Sequence, residues 1–502
     1  MDSTSLGTVI STIDSPTTSF FSFVISSPNV RKGQFVQTRC EDGMLFGTIS
    51  EIMRANRYFE HAESVSEYEK GSPMPQNFPT ADWEYVIARV RALGVYKEGR
   101  LVRSIFPAAP GSKVEGANEQ ALKELLGFEE KGLNLGKLQN HAIDAKFNLT
   151  RLLQKHLAIL AMSGAGKSYL CGVLIEELLD RGKEQGRIAV IVIDVHGEYL
   201  GFKSGQYARQ TQIFDGKKVR VSLKNVSPQM LFEWVSELSS PQKREIALLL
   251  KRMKGKMKEK QETVGLAELI KEIEASEMKD NMKGPILSWL AEINSMRLIS
   301  KGDFPKIGEL AKPGTLSVLD LSDIDSLKKK QIIVSYFARR LFLRRKKGLI
   351  PPFLLLIEES HNFAREKAPK ESAISKSIIE TLAREGRKFG ASICLVSQRP
   401  VQLSTTALSQ CNSNIILRVT NPFDVKHIAE SCEGIDNYAQ NAITTLRVGE
   451  ALVIGEAASH PIFINVRKRK SKHSTKGEGL EDSARKFEEE QERKEKDVEA
   501  FI

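Results

Sequence analysis

The run Leu157-Ala-Ile-Leu-Ala161-Met-Ser163-Gly164-Ala165-Gly166-Lys167-Ser168-Tyr169 leads from an apolar stretch through a loop of small residues into a segment of helical period. That segment carries Leu170, Val173, Leu174 and Leu178 on one face. Strand, small-residue loop and helix in that order are what a phosphate-binding loop requires. Backbone N–H groups freed by Gly164 and Gly166 can wrap a β-phosphate at the positive end of the helix. Lys167 then reaches the β- and γ-phosphates, and the Ser168 hydroxyl faces Mg²⁺. Ser163, Ala165 and Tyr169 complete the nucleotide-binding stretch, and ATP with Mg²⁺ is the expected cofactor pair. The first glycine of the usual motif is Ala161 here. The later glycines approach the phosphates most closely, so a working site is expected.

A second constellation lies on Pro352-Phe353-Leu-Leu-Leu-Ile357-Glu358-Glu359, an apolar strand ending in two carboxylates. Ligands gather at such strand ends in a parallel sheet. Glu358 suits the metal and its water shell, and Glu359 suits the general base that polarises the attacking water. Paired glutamates alone also fit the solvated end of a strand; it is the phosphate loop that turns the reading toward catalysis. Farther on, Arg384 and Arg387 close a helix, and Gln398 follows the next strand. An arginine so placed is surface charge in a monomer, but in an oligomer it can cross an interface and stabilise a transferring phosphoryl group. Gln398 suits a sensor of the γ-phosphate or of the attacking water. Asp194-Val-His196-Gly-Glu-Tyr199 ends another strand facing the same crevice. No other His or Cys stands at ligand spacing from His196, so a zinc site is not expected.

These residues need a parallel sheet to position them. From about residue 150, short apolar runs (157–161, 188–194, 315–320, 352–358, 391–397) alternate with amphipathic helical segments (167–182, 326–345, 373–388), which predicts an α/β core. Residues 227–300 read as an all-helical insertion, and 414–419, 450–455 and 461–466 as the last strands of a core spanning 150–466. Before it, residues 1–106 alternate apolar and polar positions in short pieces (19–26, 34–38, 44–53, 83–96), predicting a small β-barrel. Val86, Ala88, Val90 and Ala92 share one face of the last piece. Residues 107–149 read as a linker around one short helix at 118–126, and 467–502 as a charged extension, either disordered or helical.

With 502 residues the chain can build more than one core. The apolar share of 41% and charged share of 27% fit a soluble globular protein, so disorder is not the default expectation. Lysine and arginine outnumber aspartate and glutamate by 74 to 63, a balance that favours a polyanionic partner without identifying it. Five scattered cysteines without C-x-x-C spacing read as reduced core residues. No leader pattern or membrane-length apolar run is visible, so a cytoplasmic protein without a membrane partner is expected.

Together the phosphate loop, Asp194-x-His-Gly-Glu-Tyr199, Ile357-Glu-Glu-Ser-His361 and Ser397-Gln-Arg-Pro400 resemble the HerA family, of the FtsK/HerA branch of RecA-like ATPases. The resemblance covers nearly the whole chain, including an N-terminal barrel like that of ATP synthase subunits. It implies a hexameric ring that moves on double-stranded DNA, with helicase or translocase activity, and a NurA-like nuclease as partner in processing DNA ends for recombinational repair. By the same resemblance Arg387 is placed like an arginine finger, with Arg384 its competitor, and Arg151, Ser459 and His460 are further nucleotide contacts. Two other functions fit the core: a protein-translocating ring, and a nucleotide-gated scaffold for a nuclease. No aromatic pore loop stands clearly after the 167–182 helix, whereas Lys328-Lys-Lys330 and Arg344-Arg-Lys-Lys347 supply basic runs. The intact acid pair argues against a scaffold that does not hydrolyse nucleotide.

Overall fold

The computed structural model describes residues 5–11, 15–60, 63, 65, 83–97, 100–235, 238–260, 265–369, 373–474 and 480–499. The chain forms two compact units. The first comprises residues 1–148, 436–442 and 450–466; the second comprises 149–435, 443–449 and 467–502.

In the first unit β1 (Gly7–Ile10), β2 (Phe20–Ile25), β3 (Phe35–Cys40), β4 (Gly43–Asn56), β5 (Glu84–Lys97), β6 (Arg100–Val102) and β7 (Lys113–Gly116) form one antiparallel sheet. Pairing of β2 with β5 closes six of these strands into a barrel, with β6 added beside β5. Closure removes sheet edges and turns alternate residues inward. Phe21, Phe23, Val36, Leu45, Ile49, Ala88, Val90, Val95 and Val114 fill the interior. Ala88 and Val90 lie inward as the alternation predicts, but a register shift leaves Leu93 without an opposite residue in β4. This bulge reverses the phase of the strand, so Val95 joins the core.

Residues 107–149, expected as a linker, instead carry β7, the helix Glu119–Leu126, β8 (Phe128–Leu138) and β9 (Asp144–Phe147). β7 pairs with β1 and β3 and so belongs to the barrel. β8 pairs with β9 and with β20 (Ile462–Val466), which pairs with β19 (Glu450–Gly455). The glycines of β8 are there for close approach. A Cβ on Gly136 would lie 2.0 Å from the Asn465 carbonyl oxygen. The strands at 450–455 and 461–466, expected in the ATPase core, thus fall in the first compact unit.

The second unit is built on β10 (Leu157–Leu160), β11 (Ala189–Asp194), β12 (Thr211–Asp215), β15 (Leu316–Asp320), β16 (Phe353–Ile357), β17 (Ala391–Ser397) and β18 (Ser413–Ile416), in the order β12-β15-β11-β16-β17-β10-β18. Every neighbouring pair among them is parallel. Each residue of β10, β11, β16 and β17 is buried, as expected when helices cover both faces of a parallel sheet. Two strands, β13 (Val221–Ser222) and β14 (Ile299–Ser300), pair separately and close the base of the insertion. Between them run the helices Pro228–Trp234, Ser240–Lys260, Leu266–Glu274 and Asp280–Ser295. Ile286, Trp289, Leu290 and Ile293, at helical spacing, bury the face of the last one. Helix Leu327–Lys346 precedes β16. The helix expected at 373–388 spans Lys376–Glu385 and tightens into a 3-10 turn at Gly386–Phe389.

After β20 the second unit resumes with residues 467–474. They lie along the helix Lys167–Leu179, and Glu176 of that helix is fully buried beneath them. Its carboxylate accepts hydrogen bonds from Arg467 Nη1, the backbone N–H groups of Lys470 and Ser471, and the Ser471 hydroxyl. A helix at Leu480–Glu499 follows. Cys171, Cys394, Cys411 and Cys432 are buried free thiols, and Cys40 is half-buried. Among the described residues no helix is long and apolar enough to cross a membrane.

Candidate active site

Parallel pairing sets the ends of β10, β11, β16 and β17 along one sheet edge. The phosphate loop leaves the end of β10, where Ala161 N–H donates to the Ser397 carbonyl of β17 and Met162 N–H to the Arg418 carbonyl. Gly164 and Gly166 hold φ of 75° and 96°, left-handed values that favour glycine. A Cβ on Gly164 would meet nothing within 4 Å. Helix Lys167–Leu179 starts at Gly166 with no side-chain cap, which leaves its first N–H groups to a bound anion. Among the residues expected at the nucleotide, Ser163 and Gly164 are exposed, Ala165 is buried, and Lys167 and Ser168 are half-buried.

The paired glutamates come from β16, which is separated from β10 by β17 alone. Lys167 Nζ donates to Glu359 Oε1 at 2.7 Å, with both side chains nearly buried. Glu359 adopts φ 45°, ψ 43°, a left-handed conformation costing a non-glycine residue roughly 1–3 kcal/mol. It holds the carboxylate under the loop. Its Oε2 lies 3.3 Å from His361 Nδ1, without hydrogen-bond geometry, and is buried without a donor. His361 Nδ1 instead meets the Ser397 hydroxyl at 3.2 Å, and that hydroxyl also accepts from Arg399 N–H. Ser397 therefore ties the phosphate loop to the acid turn, and Gln398, half-buried, emerges next to it.

Glu358 faces the other way, toward the end of β11. Its backbone N–H donates to the Ile193 carbonyl, and Tyr199 donates its hydroxyl to Oε1 at 2.9 Å. Oε2 is buried without an N–H or O–H donor. Burial, reinforced by the nearby Asp194 and Glu198 carboxyls, pushes Glu358 well above the usual carboxylate range. Glu198 reaches both Glu358 and Ser168. Burial opposes its ionisation, but hydrogen bonding with those two groups and the Lys167 charge prevail and hold it below the usual range. The two carboxyls thus shift in opposite directions, Glu358 upward and Glu198 downward. The buried Glu358 carboxyl and the half-buried Glu198 carboxyl beside the Ser168 hydroxyl are hard donors of the kind a divalent cation takes, and the open space at Gly164 suits phosphates. The residues present thus fit Mg²⁺ and ATP.

Asp194-x-His-Gly-Glu-Tyr199 ends its strand at this crevice, and Glu198, to which the sequence alone assigns no role, joins the cluster. The structure explains the run. Asp194 accepts the backbone N–H groups of His196, Gly197, Glu198 and Tyr199, folding a turn that swings Glu198 back to Ser168. A buried aspartate followed by several N–H donors is the signal that could have revealed this turn. Tyr169 points elsewhere, accepting Arg469 N–H on its hydroxyl at 2.6 Å.

Arg384, Arg387 and Arg151 do not join this cluster within the second unit. Arg384 and Arg387 are exposed at the helix end and 3-10 turn that precede β17, toward the opposite sheet edge. Arg151 lies on the short helix Leu149–Leu153, and Gln154 just after it donates to the Arg387 carbonyl. Ser459 and His460 belong to the first unit, where His460 lines a cavity of about 640 Å³ with Arg91, Tyr438 and Phe463. Burial and the Arg91 charge lower the pKa of His460.

The family model "Helicase HerA, central domain" matches residues 133–341. In sequence the chain is similar to a "Probable helicase" of Methanocaldococcus jannaschii, 27% identical across 87% of this chain and 86% of that protein. It is also similar to the "DNA double-strand break repair helicase HerA" of Pyrococcus furiosus, 28% identical across 92% of each. In structure it is similar to VirB4 of Thermoanaerobacter pseudethanolicus, 16% identical with a TM-score of 0.52, over 68% of this chain and 98% of that one. The fold class is α/β, a RecA-like P-loop ATPase core with a helical insertion and an N-terminal small β-barrel.

Proposed function

We infer that this chain, which belongs to the HerA family of P-loop ATPases, is an ATP-driven motor acting on double-stranded DNA. The observation that carries the reading is the convergence of Lys167, Ser168, Glu198, Glu358 and Glu359 at one sheet edge. A relative named as a DNA double-strand break repair helicase, similar over most of the chain, supplies the link to DNA.

In this reading the backbone of residues 163–168 and the Lys167 ammonium bind the ATP phosphates, with Tyr169 buttressing the helix. Ser168 and Glu358 hold Mg²⁺, which supplies charge neutralisation to the phosphates when bound; Glu198 steadies the Ser168 hydroxyl and the Glu358 carboxyl. Glu359, relieved of Lys167 as the γ-phosphate takes the ammonium, accepts a proton from the attacking water on its free Oε2. Gln398 orients that water or senses the γ-phosphate. Arg387, exposed and remote from its own loop, serves the neighbouring subunit in a head-to-tail ring, which we take as a hexamer. Arg384 is the alternative finger, and Arg151, Ser459 and His460 are contacts to nucleotide made across the ring. The nuclease partner is a NurA-like protein docking on the barrel unit, and the process is DNA end processing for recombinational repair, in the cytoplasm.

ATP turnover measured with and without duplex DNA, over a range of salt, tests this. Stimulation by DNA that weakens steeply with salt is expected, because phosphate contacts release counterions. Turnover indifferent to DNA but stimulated by unfolded polypeptide would replace the reading with a protein-translocating ring. Absence of turnover would favour a nucleotide-gated scaffold.

A further inference from the structure

Away from the nucleotide, the second unit has a shallow hollow of about 730 Å³ between the base of the insertion and the end of helix Leu327–Lys346. Four cationic side chains line it: Lys224, Lys306, Arg340 and Arg344. Arg340 and Arg344 are one helical turn apart, so they present to the same side. The hollow's two acids are engaged elsewhere. Asp303 accepts Ser222 N–H, the Tyr336 hydroxyl and the Asn225 side-chain amide, and Glu309 caps the Lys306 N–H at 3.2 Å. Among the described residues none of the four cations has a carboxylate within ion-pair distance, and Arg340 Nε is buried without an acceptor. Lys254 adds a fifth positive charge behind Arg340. Its ammonium is bound to the Val226 carbonyl, and burial together with the Arg340 charge lowers its pKa.

Like charges gathered on a concave surface without ion-pair partners, and outnumbering its acids four to two, repel one another and focus a positive potential outward. The repulsion is relieved by an anion that spans several of them. Arginine forks match the paired oxygens of a phosphate in particular. We propose that this hollow binds phosphate oxyanions, and specifically, resting on the reading above, those of a DNA backbone segment running outside the nucleotide site. The basic run at Arg344 thereby gains a role separate from catalysis.

The test uses the full-length protein and the variants Arg344→Gln and Arg340→Gln/Arg344→Gln. Affinity for a fluorescein-labelled duplex is followed by anisotropy from low to moderate salt. Loss of two phosphate contacts should make the log–log salt slope shallower by about two, so that the loss of affinity between about 50 and 200 mM salt is about tenfold smaller than in the wild type. Arg344 is exposed, so the single variant, with a slope change of about one, guards against misfolding of the double variant. Turnover without DNA should be unchanged in both. In a second arm, inorganic phosphate is titrated calorimetrically into protein whose nucleotide site is filled with ADP. Phosphate heat lost in the double variant, with an unaltered DNA slope, would keep the site but assign it a free phosphate ligand. An unaltered slope together with unaltered phosphate heat overturns the proposal. If the wild type binds no duplex at all, the motor reading fails by itself, and the phosphate arm still decides the hollow.

Discussion

Lys167 Nζ lies 2.7 Å from Glu359 Oε1, so the ammonium meant for the phosphates rests on the carboxylate proposed as general base. Both groups are nearly buried, and an ion pair there is costly to break without a replacement. In the proposed function the γ-phosphate is that replacement. Arrival of ATP would exchange one anion on Lys167 for another and release Glu359 toward water, coupling substrate binding to the base without any large motion.

Glu359→Gln should therefore separate binding from chemistry. The amide keeps the size of the side chain but cannot take a proton, so turnover should fall by roughly 10²–10⁴. It also removes the charge that competes for Lys167, so ATP affinity should hold or rise. Equilibrium binding of a fluorescent ATP analogue beside steady-state turnover reads both. A loss of affinity as deep as the loss of turnover would mean that Glu359 holds the metal or the loop instead.

Glu176→Ala should destabilise the second unit by about 3–5 kcal/mol, the cost of leaving a buried charge network unpaired. The carboxylate is fully buried under Arg467, Lys470 and Ser471, and Arg467 also pairs with Glu177 at 2.7 Å. Urea unfolding of the variant checks this. A midpoint equal to wild type would show that residues 467–474 contribute nothing to the stability of the phosphate-loop helix.

Acid should weaken the second unit through His156. Its Nδ1 accepts the Ile393 N–H at 3.1 Å, and burial lowers its pKa from the ordinary 6.5 to about 4, with the Arg387 charge adding to the effect. A histidine whose folded pKa is depressed contributes full stability above its unfolded value, and that stability is lost as pH falls from 6.5 toward 4. The difference corresponds to about 3 kcal/mol. His156 also has φ of 66°, which asparagine tolerates, and an asparagine oxygen can replace Nδ1 as acceptor. His156→Asn should thus fold and lose less stability than wild type between these pH values in urea titrations. Parallel pH profiles for the two proteins would remove His156 from the account.

The strands and loops that bear chemistry were legible because their signals are local. Leu157 to Ser168 and Phe353 to Glu359 each state strand, turn and reactive side chain in consecutive residues. Elements defined by distant partners were not. β8 contains Gly132 and Gly136 and reads as a linker, although these glycines serve to let Lys146 and Asn465 approach. β12 is short, has a single neighbour in the sheet and buries only Thr211 fully, so its sequence carries little strand period. A boundary at residue 106 would likewise strip β7 from β1 and β3 and cut through the barrel. Glu198 escaped because its role depends on the turn that Asp194 folds.

The arginine finger can be tested through the geometry of the ring. Arg387 stands before β17, toward the sheet edge opposite its own Lys167, and is exposed, so in one chain it has no path to the phosphates it is proposed to stabilise. In a head-to-tail ring that edge can face the phosphate loop of the next subunit. An arginine finger is worth roughly 10³–10⁵ in rate, so Arg387→Ala alone should be nearly inactive. Lys167→Ala should be inactive as well, through its own loop. When the two variants are dissociated, mixed equally and reassembled, about a quarter of interfaces join an intact loop to an intact arginine, and turnover should return at those interfaces. The assay is best run first without DNA, where sequential firing around the ring is less able to mask isolated competent sites. Mixed rings that stay inactive there, with both variants shown to be present, would exclude action in trans by Arg387. Arg384, on the same exposed helix end, would then be exchanged for Arg387 in the same mixing experiment, and recovery with Arg384→Ala in its place would identify it as the finger.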